Sequence, residues 1–345
     1  MTTGIKIRQA LFKFVSPSTP VEQRLRFACG EFPEAEGLSH EDRLTVLFIL
    51  SHDKDAAVSG LAKKTVGDYP VYNLLNALEG ELSPAVIRHI VATHDGNEAI
   101  EIMAAINPLI DDETLLKVVE RGPEEVVRLI IEDKERLGKN PMLLDAIKKN
   151  PSATQGDISR AEAVVSAGRA EGAGREGAKP LKTSGRFTKE EDREIKKALK
   201  EEKPLKDGEQ NIYKLLQDMN TSQKIKFALT GNKSAREVLA KEANKLIAMS
   251  VLKNPRITED EVLRLATSKS TPDDMLRCIA RNREWVKGYS LKLALVANPK
   301  TPLTVSVKML DHVYDKDLEK IAKSKNIPSV LASTARRKLE AKAKK

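Results

Sequence analysis

Apolar residues recur along this chain at the spacing of α-helices, and strand-like alternation is hard to find. A typical segment places four apolar side chains at i, i+1, i+4 and i+5, on one helix face: Val86, Ile87, Ile90 and Val91. Several helix starts carry Ser or Thr before Pro, as at Ser83, because the hydroxyl can cap the helix and Pro suits its first turn. The sequence therefore predicts an all-α protein built from many short helices.

The two halves of the chain repeat a pattern of Asn-Pro pairs. In each half, two such pairs follow one another at a spacing of 43 or 44 residues, and they begin at Asn107, Asn150, Asn254 and Asn298. Similar residues flank the pairs in both halves, which indicates an internal duplication. We expect each Asn to lie at a turn that joins two helices.

A period near 43 residues is typical of α-solenoids. The sequence resembles the HEAT and armadillo class of helical repeats, and more closely the leucine-rich-repeat-variant type, whose units run Asn-Pro-x-Thr-Pro into a helix carrying Leu and Ala. Residues 298–302 match that pattern, and the resemblance covers residues 72–155 and 223–340. The cysteine cluster that holds an iron–sulfur centre in some of these proteins is missing from the sequence, so no cofactor is expected. The resemblance implies binding of proteins or nucleic acids along a concave face.

The composition changes in the middle of the chain. Residues 156–186 are rich in Gly, Ala and charged residues, which predicts a flexible linker between an N-terminal module, 1–155, and a C-terminal module, 187–345. The predicted fold class is thus two related α-solenoid modules joined by a linker. Residues 1–150 carry 18 Lys and Arg against 24 Asp and Glu, whereas residues 151–345 carry 41 against 26. The basic second module is therefore expected to attract an anionic partner.

Candidate residues for catalysis are few. The two cysteines, Cys29 and Cys278, predict no disulfide framework and no thiolate metal cluster, and no apolar run is long enough to span a bilayer. We therefore expect a cytoplasmic protein without stable membrane insertion. The pairs at 52–53 and 94–95 are similar to the His-Asp pairs of metal-dependent phosphohydrolases, which gives one alternative function. Because both pairs lie in polar turns, we favour a protein that is no enzyme and assign no metal-binding or catalytic residue.

Two candidate binding sites lie in the second module. A basic ridge with interleaved aromatic residues is predicted to bind partners: Arg277, Arg281, Arg283, Trp285, Lys287, Tyr289 and Lys292. An alternative interpretation places Trp285 in the core where two repeats meet. A helix start with Lys233, Ser234 and Arg236 could hold an anion.

The leading functional prediction is a non-catalytic cytoplasmic adaptor or scaffold that binds protein partners through its helical-repeat surfaces. The main alternative is a nucleic-acid or ribonucleoprotein binder that uses the basic second module for phosphate contacts.

Overall fold

The computed structural model of the chain describes residues 8–33, 37–171, 216, 219–324 and 326–343. Within these ranges the protein is all-α and contains no strand, which confirms the all-α part of the predicted fold class. None of the described helices is both long enough and apolar enough to cross a membrane.

Short helices make up both halves of the chain. The described residues up to 171 form a 3-10 turn (Gln9–Leu11) and twelve α-helices: α1 (Phe12–Val15), α2 (Val21–Ala28), α3 (His40–Leu50), α4 (Ala56–Gly67), α5 (Val71–Glu79), α6 (Pro84–Thr93), α7 (Glu98–Ile106), α8 (Asp112–Arg121), α9 (Glu124–Glu132), α10 (Lys134–Lys139), α11 (Met142–Lys149) and α12 (Gln155–Glu171). Those from 219 onward form a 3-10 turn (Trp285–Lys287) and nine α-helices: α13 (Thr221–Thr230), α14 (Lys233–Leu239), α15 (Lys245–Val251), α16 (Glu259–Thr267), α17 (Asp273–Arg281), α18 (Tyr289–Ala297), α19 (Leu303–Leu310), α20 (Asp315–Lys323) and α21 (Ser329–Ala343). Most of them span about two to three turns.

The four repeated asparagines lie at turns between helices, as the sequence predicts. Asn107, Asn150 and Asn298 directly follow α7, α11 and α18, while Asn254 lies in the turn between α15 and α16. All four side chains are buried. In each case the Nδ2 amide donates to two backbone carbonyls at the end of an earlier helix, and Oδ1 accepts the backbone N–H two residues further on. Helix-end carbonyls lack partners within their own helix, so each Asn ties one helix end to a later turn.

The turn after each Asn also sets where the next helix begins. Asp111, Thr154 and Thr258 each stand four residues after an Asn, and each accepts a hydrogen bond from the backbone N–H three residues further on. Such side chains satisfy N–H groups that have no partner in the first helical turn. The helices α8, α12, α16 and α19 accordingly all start five residues after an Asn.

One hydrophobic core joins the two halves. A single cluster of packed, buried side chains runs from Leu44 in α3 to Leu295 in α18. Every residue of α7 from Ala99 to Ala105 is buried. Two smaller clusters lie at the ends of the chain, one under α1–α4 and one among α18–α21.

Charged contacts also cross between the halves. The Nζ of Lys253 lies 3.1 Å from Glu98 Oε2 and 2.5 Å from Glu125 Oε2. The Arg256 guanidinium lies 4.0 Å from the centre of the Tyr72 ring, a cation–π geometry. Part of the charge asymmetry between the halves is therefore used inside the molecule.

The helix α12 occupies the first part of the predicted linker. Its side chains Asp157, Ala161 and Val165 are buried, and α12 packs on α9, α10 and α11. The rest of that segment, 172–186, lies outside the described residues. The division into two modules stays a prediction.

Candidate functional site

A cleft of about 500 Å³ lies among the helices of the second half. Its walls come from α14 and the loop after it, from α16, and from the turn that leads into α17. Most of the surface that lines it is apolar, and six of the lining residues are apolar: Ala240, Ala243, Val251, Ile257, Leu265 and Pro272. This volume and this apolar lining are typical of ligand sites in proteins.

A buried ion pair forms one wall of the cleft. The Arg236 guanidinium donates from Nε to Glu261 Oε1 at 3.2 Å and from Nη2 to Glu261 Oε2 at 3.0 Å. Its Nη1 donates to the carbonyl of Gly231 at 2.9 Å. The two side chains are only 4% and 6% exposed, so the bidentate pair is shielded from water and fixed in position.

The local sequence places both partners. Asn232 caps α14 by accepting the backbone N–H of Ala235, which sets Arg236 on the first turn. Thr258 and Glu261 form a capping box at the start of α16, in which each side chain bonds the backbone of the other. The carboxylate of Glu261 therefore serves the helix end and the ion pair together.

The ion pair keeps Glu261 ionised. Burial by itself would raise the pKa of Glu261, but hydrogen bonds from Arg236 and Thr258, together with the guanidinium charge, hold its pKa below the ordinary value. A carboxylate of this kind is a poor general base near neutral pH, because proton transfer needs a pKa close to the working pH.

The first half of the chain has no such pair at the equivalent positions. Counted from the capping residues Ser83 and Asn232, the counterpart of Arg236 is Ile87; counted from the repeated Asn, the counterpart of Glu261 is Thr114. Both counterparts are buried, at 0% and 3% exposure. The fold thus accommodates uncharged residues at this place, and a buried ion pair is weak evidence for a stabilising role.

Two length differences shape the cleft. The helix α14 has seven residues, whereas its counterpart α6 has ten. The turn before Pro272 contains Lys269, Ser270 and Thr271, whereas the first half has Gly122 alone before Pro123. The longer turn contributes lining atoms from Ser270 and Thr271. The cleft therefore lies where the two halves differ.

All three acidic residues of the cleft are matched by a cation. Besides the buried pair, Arg264 lies 3.5 Å from Glu237, and Lys224 lies 2.6 Å from Glu242. Lys241 lines the cleft and Lys269 lies in its longer turn; both are exposed, and none of the ion pairs between described residues includes them. Among the charged residues that line the cleft, Lys241 is therefore the one that no ion pair between described residues neutralises.

The predicted basic ridge is divided between structural and exposed side chains. Trp285 is half-buried against the main core. The Tyr289 hydroxyl donates to Asp317 Oδ2 at 2.6 Å, and its ring stacks on Tyr314 with 4.2 Å between ring centres. Both aromatic side chains thus make contacts within the protein, as in the interpretation that places Trp285 in the core.

The cations of the ridge differ in exposure. Arg281, Arg283 and Lys287 are exposed, and Lys287 pairs with Glu284 at 2.5 Å. Arg277 and Lys292 are half-buried.

The predicted anion site near the start of α14 is not assembled as expected. Lys233 is exposed and Ser234 is half-buried, but Arg236 points its charge to Glu261 and Gly231. The alternative His-Asp pairs also have other partners: Asp53 forms an ion pair with Arg24, and His94 Nε2 lies 2.9 Å from the Val66 carbonyl. Among the described residues, no three His, Cys, Asp or Glu side chains are grouped as metal ligands would be.

Comparison with protein-family models, with curated proteins and with solved structures gives no significant match for the chain.

Proposed function

We propose that this chain is a non-catalytic adaptor of the HEAT/armadillo-like type, and that it holds a segment of a protein partner in the cleft between α14, α16 and α17. The observation that carries the proposal is the cleft itself, a site of about 500 Å³ with a mostly apolar lining and a fixed ion pair in its wall. Apolar grooves between helices commonly receive an amphipathic helix of a partner.

The repeated Asn turns support the helical-repeat part of the proposal. Four buried asparagines, spaced 43 or 44 residues apart within each half, make the same set of hydrogen bonds. In helical repeats each unit contacts its neighbours, and these contacts contribute to the stability of the array.

The chemistry of the lining supports binding rather than catalysis. The acids of the cleft are engaged in ion pairs, and the pKa of Glu261 is lowered rather than raised. A binding site needs anchors that fill an apolar floor, and the floor offers several half-buried or buried aliphatic side chains for this contact.

Selection of random peptides displayed on phage against the full chain tests this function. We expect peptides with clustered apolar residues to be enriched, and to lose binding to an Ala243→Trp variant. Ala243 lines the cleft and is exposed, so the larger side chain would occupy the cleft without displacing a core residue. The matched control is Ala92→Trp, at an exposed site on α6.

Two results would overturn the proposal. One is that no peptide is enriched over an unrelated helical protein. The other is that the enriched peptides bind the Ala243→Trp variant as well as they bind the unchanged chain.

The alternative of nucleic-acid binding through the basic ridge stays a prediction. Stacking of bases on Trp285 or Tyr289 would need their ring faces, yet Trp285 packs on the core and Tyr289 stacks on Tyr314. The exposed cations Arg281 and Arg283 are what supports this alternative.

A further inference from the structure

We infer that the cleft selects an acidic partner segment, whose apolar side chains contact the floor and whose Asp or Glu side chains meet Lys241 and Lys269. The inference rests on the proposed function and adds the chemical class of the partner. Its basis is the charge that the cleft leaves uncompensated.

The acidic side chains that line the cleft are already neutralised. Glu237, Glu242 and Glu261 each have a cation within 4 Å, namely Arg264, Lys224 and Arg236. A cationic segment would have to break one of these pairs to reach a carboxylate of the cleft lining. An acidic segment meets Lys241 and Lys269 without any such loss.

The differences between the two halves also favour an acidic partner segment. Lys269 belongs to the turn that is longer in the second half, where the first half has only Gly122. At the position of Thr267, just before this turn, the first half carries the acidic Glu120. Lys269 therefore has no charged counterpart in the first half.

The lining favours a protein segment over a nucleic acid. None of the described residues that line the cleft is aromatic, so these residues offer bases no ring on which to stack. The backbone of a nucleic acid would also bring closely spaced phosphates near Glu237 and Glu242. A protein segment can place one or two carboxylates at the lysines and apolar side chains elsewhere.

Two designed peptides test the inference against the full chain. Both are about 15 residues long, the length at which an isolated helix becomes stable, and both carry the same leucine face. One has Glu and the other has Lys at the flanking positions. Fluorescence anisotropy of labelled peptides at low and at physiological salt measures their dissociation constants.

The Glu peptide is expected to bind about threefold to tenfold more tightly than the Lys peptide at low salt, because two rim charges contribute modestly and are screened by salt. The double variant Lys241→Glu with Lys269→Glu should abolish or reverse this preference. The control variant Lys308→Glu with Lys316→Glu changes the net charge equally at two exposed lysines of α19 and α20 and should leave it unchanged.

The possible outcomes distinguish a failure of the inference from a failure of the proposed function. If neither peptide binds, both the proposed function and the inference fail. If both peptides bind equally and both lose binding to the Ala243→Trp variant, the cleft is a binding site but the inference is wrong. The inference also fails if the control variant removes the preference, or if a single-stranded DNA oligonucleotide displaces the Glu peptide and loses its own binding in the Lys241→Glu, Lys269→Glu variant.

Discussion

Replacing each of the four repeated asparagines by Ala should destabilise the protein by a similar amount. The reason is that Asn107, Asn150, Asn254 and Asn298 make the same three hydrogen bonds in four different places. For Asn298 these are two bonds from Nδ2, to the carbonyls of Ala266 at 2.7 Å and Ser268 at 3.0 Å, and one to Oδ1 from the backbone N–H of Lys300 at 3.0 Å.

The magnitude follows from these bonds. An intramolecular hydrogen bond contributes about 0.5–1.5 kcal/mol net, and a buried polar group left without a partner costs more. Three bonds per side chain, at sites that are 1–4% exposed, give an expected loss of about 2–4 kcal/mol for each Asn→Ala variant. That is a large share of the stability of an ordinary domain.

Urea unfolding of the full chain, followed by circular dichroism, measures the loss in the free energy of unfolding. The control is Asn326→Ala, at an exposed position, for which we expect a change within about 0.5 kcal/mol. Asn254→Asp is a sharper variant, because it keeps the shape but sets a carboxylate against two carbonyl oxygens. It should cost at least as much as Asn254→Ala.

The reasoning would be refuted if any of the four Ala variants matched the exposed control. A wide spread among the four losses in the free energy of unfolding would also contradict it, because sites with the same hydrogen bonds should lose similar amounts. In that case the repeated Asn-Pro pairs would mark turns without linking successive helices.

Three further predictions concern charged groups. Glu261→Thr alone should lower the free energy of unfolding by about 3–5 kcal/mol, because Arg236 is left buried without its partner. In a urea double-mutant cycle the double variant Arg236→Ile with Glu261→Thr should lower it by less, and equal losses would contradict this. Burial, with the nearby acids, raises the pKa of Glu101, so its ionised form lowers stability above the folded-state pKa. Glu101→Gln should therefore raise the urea midpoint of unfolding at pH 7. This gain should disappear as the pH falls towards the ordinary pKa of Glu, and an equal gain at both pH values would contradict the prediction. Any binding of duplex DNA by the ridge should weaken as the salt concentration rises. Replacing Arg281 and Arg283 by Ala should reduce the slope of log affinity against log salt by about 2, and an unchanged slope would show that the ridge is not the binding surface.

The all-α fold could be predicted from the sequence because helix formation is encoded locally. Apolar spacing and capping residues act within one or two turns, and Asn-Pro pairs disfavour a continuing helix at the residue before Pro. The positions of Asn107 and Asn254 at turns followed from this local information. The carbonyls that they bond could not be predicted, because Leu78 and Ala228 lie 29 and 26 residues earlier in the chain.

The cleft could be predicted only in part. Arg236 was identified from the sequence as a candidate for anion binding, but its partner Glu261 lies 25 residues away on another helix, and only the tertiary fold brings the two side chains together. A signal for Glu261 did exist, since Thr258 followed three residues later by Glu is a capping-box pattern. That pattern fixes the helix start, yet it gives no information on which cation meets the carboxylate.

The directions of the aromatic side chains of the ridge could not be predicted from the sequence. Sequence spacing placed Trp285 and Tyr289 beside Arg and Lys, which is typical of partner-binding surfaces. Whether such a ring faces solvent depends on packing with distant segments, and Asp317 and Tyr314 engage Tyr289 from α20 and the turn before it. Short sequence motifs therefore predict which residue types lie close together more reliably than they predict where each side chain points.

The charge asymmetry of the chain serves more than one purpose, and this bears on how its partner binds. Lys253 and Arg256 use their charge against the first half, and Lys224 and Lys245 pair with acids of the second half. Part of the positive charge of residues 151–345 is thus neutralised within the molecule. A partner held by apolar contacts and the two rim lysines should lose affinity only modestly as salt rises, because few charges contribute. A nucleic acid bound through many phosphates would instead lose affinity steeply, so the salt dependence of binding distinguishes the two kinds of partner.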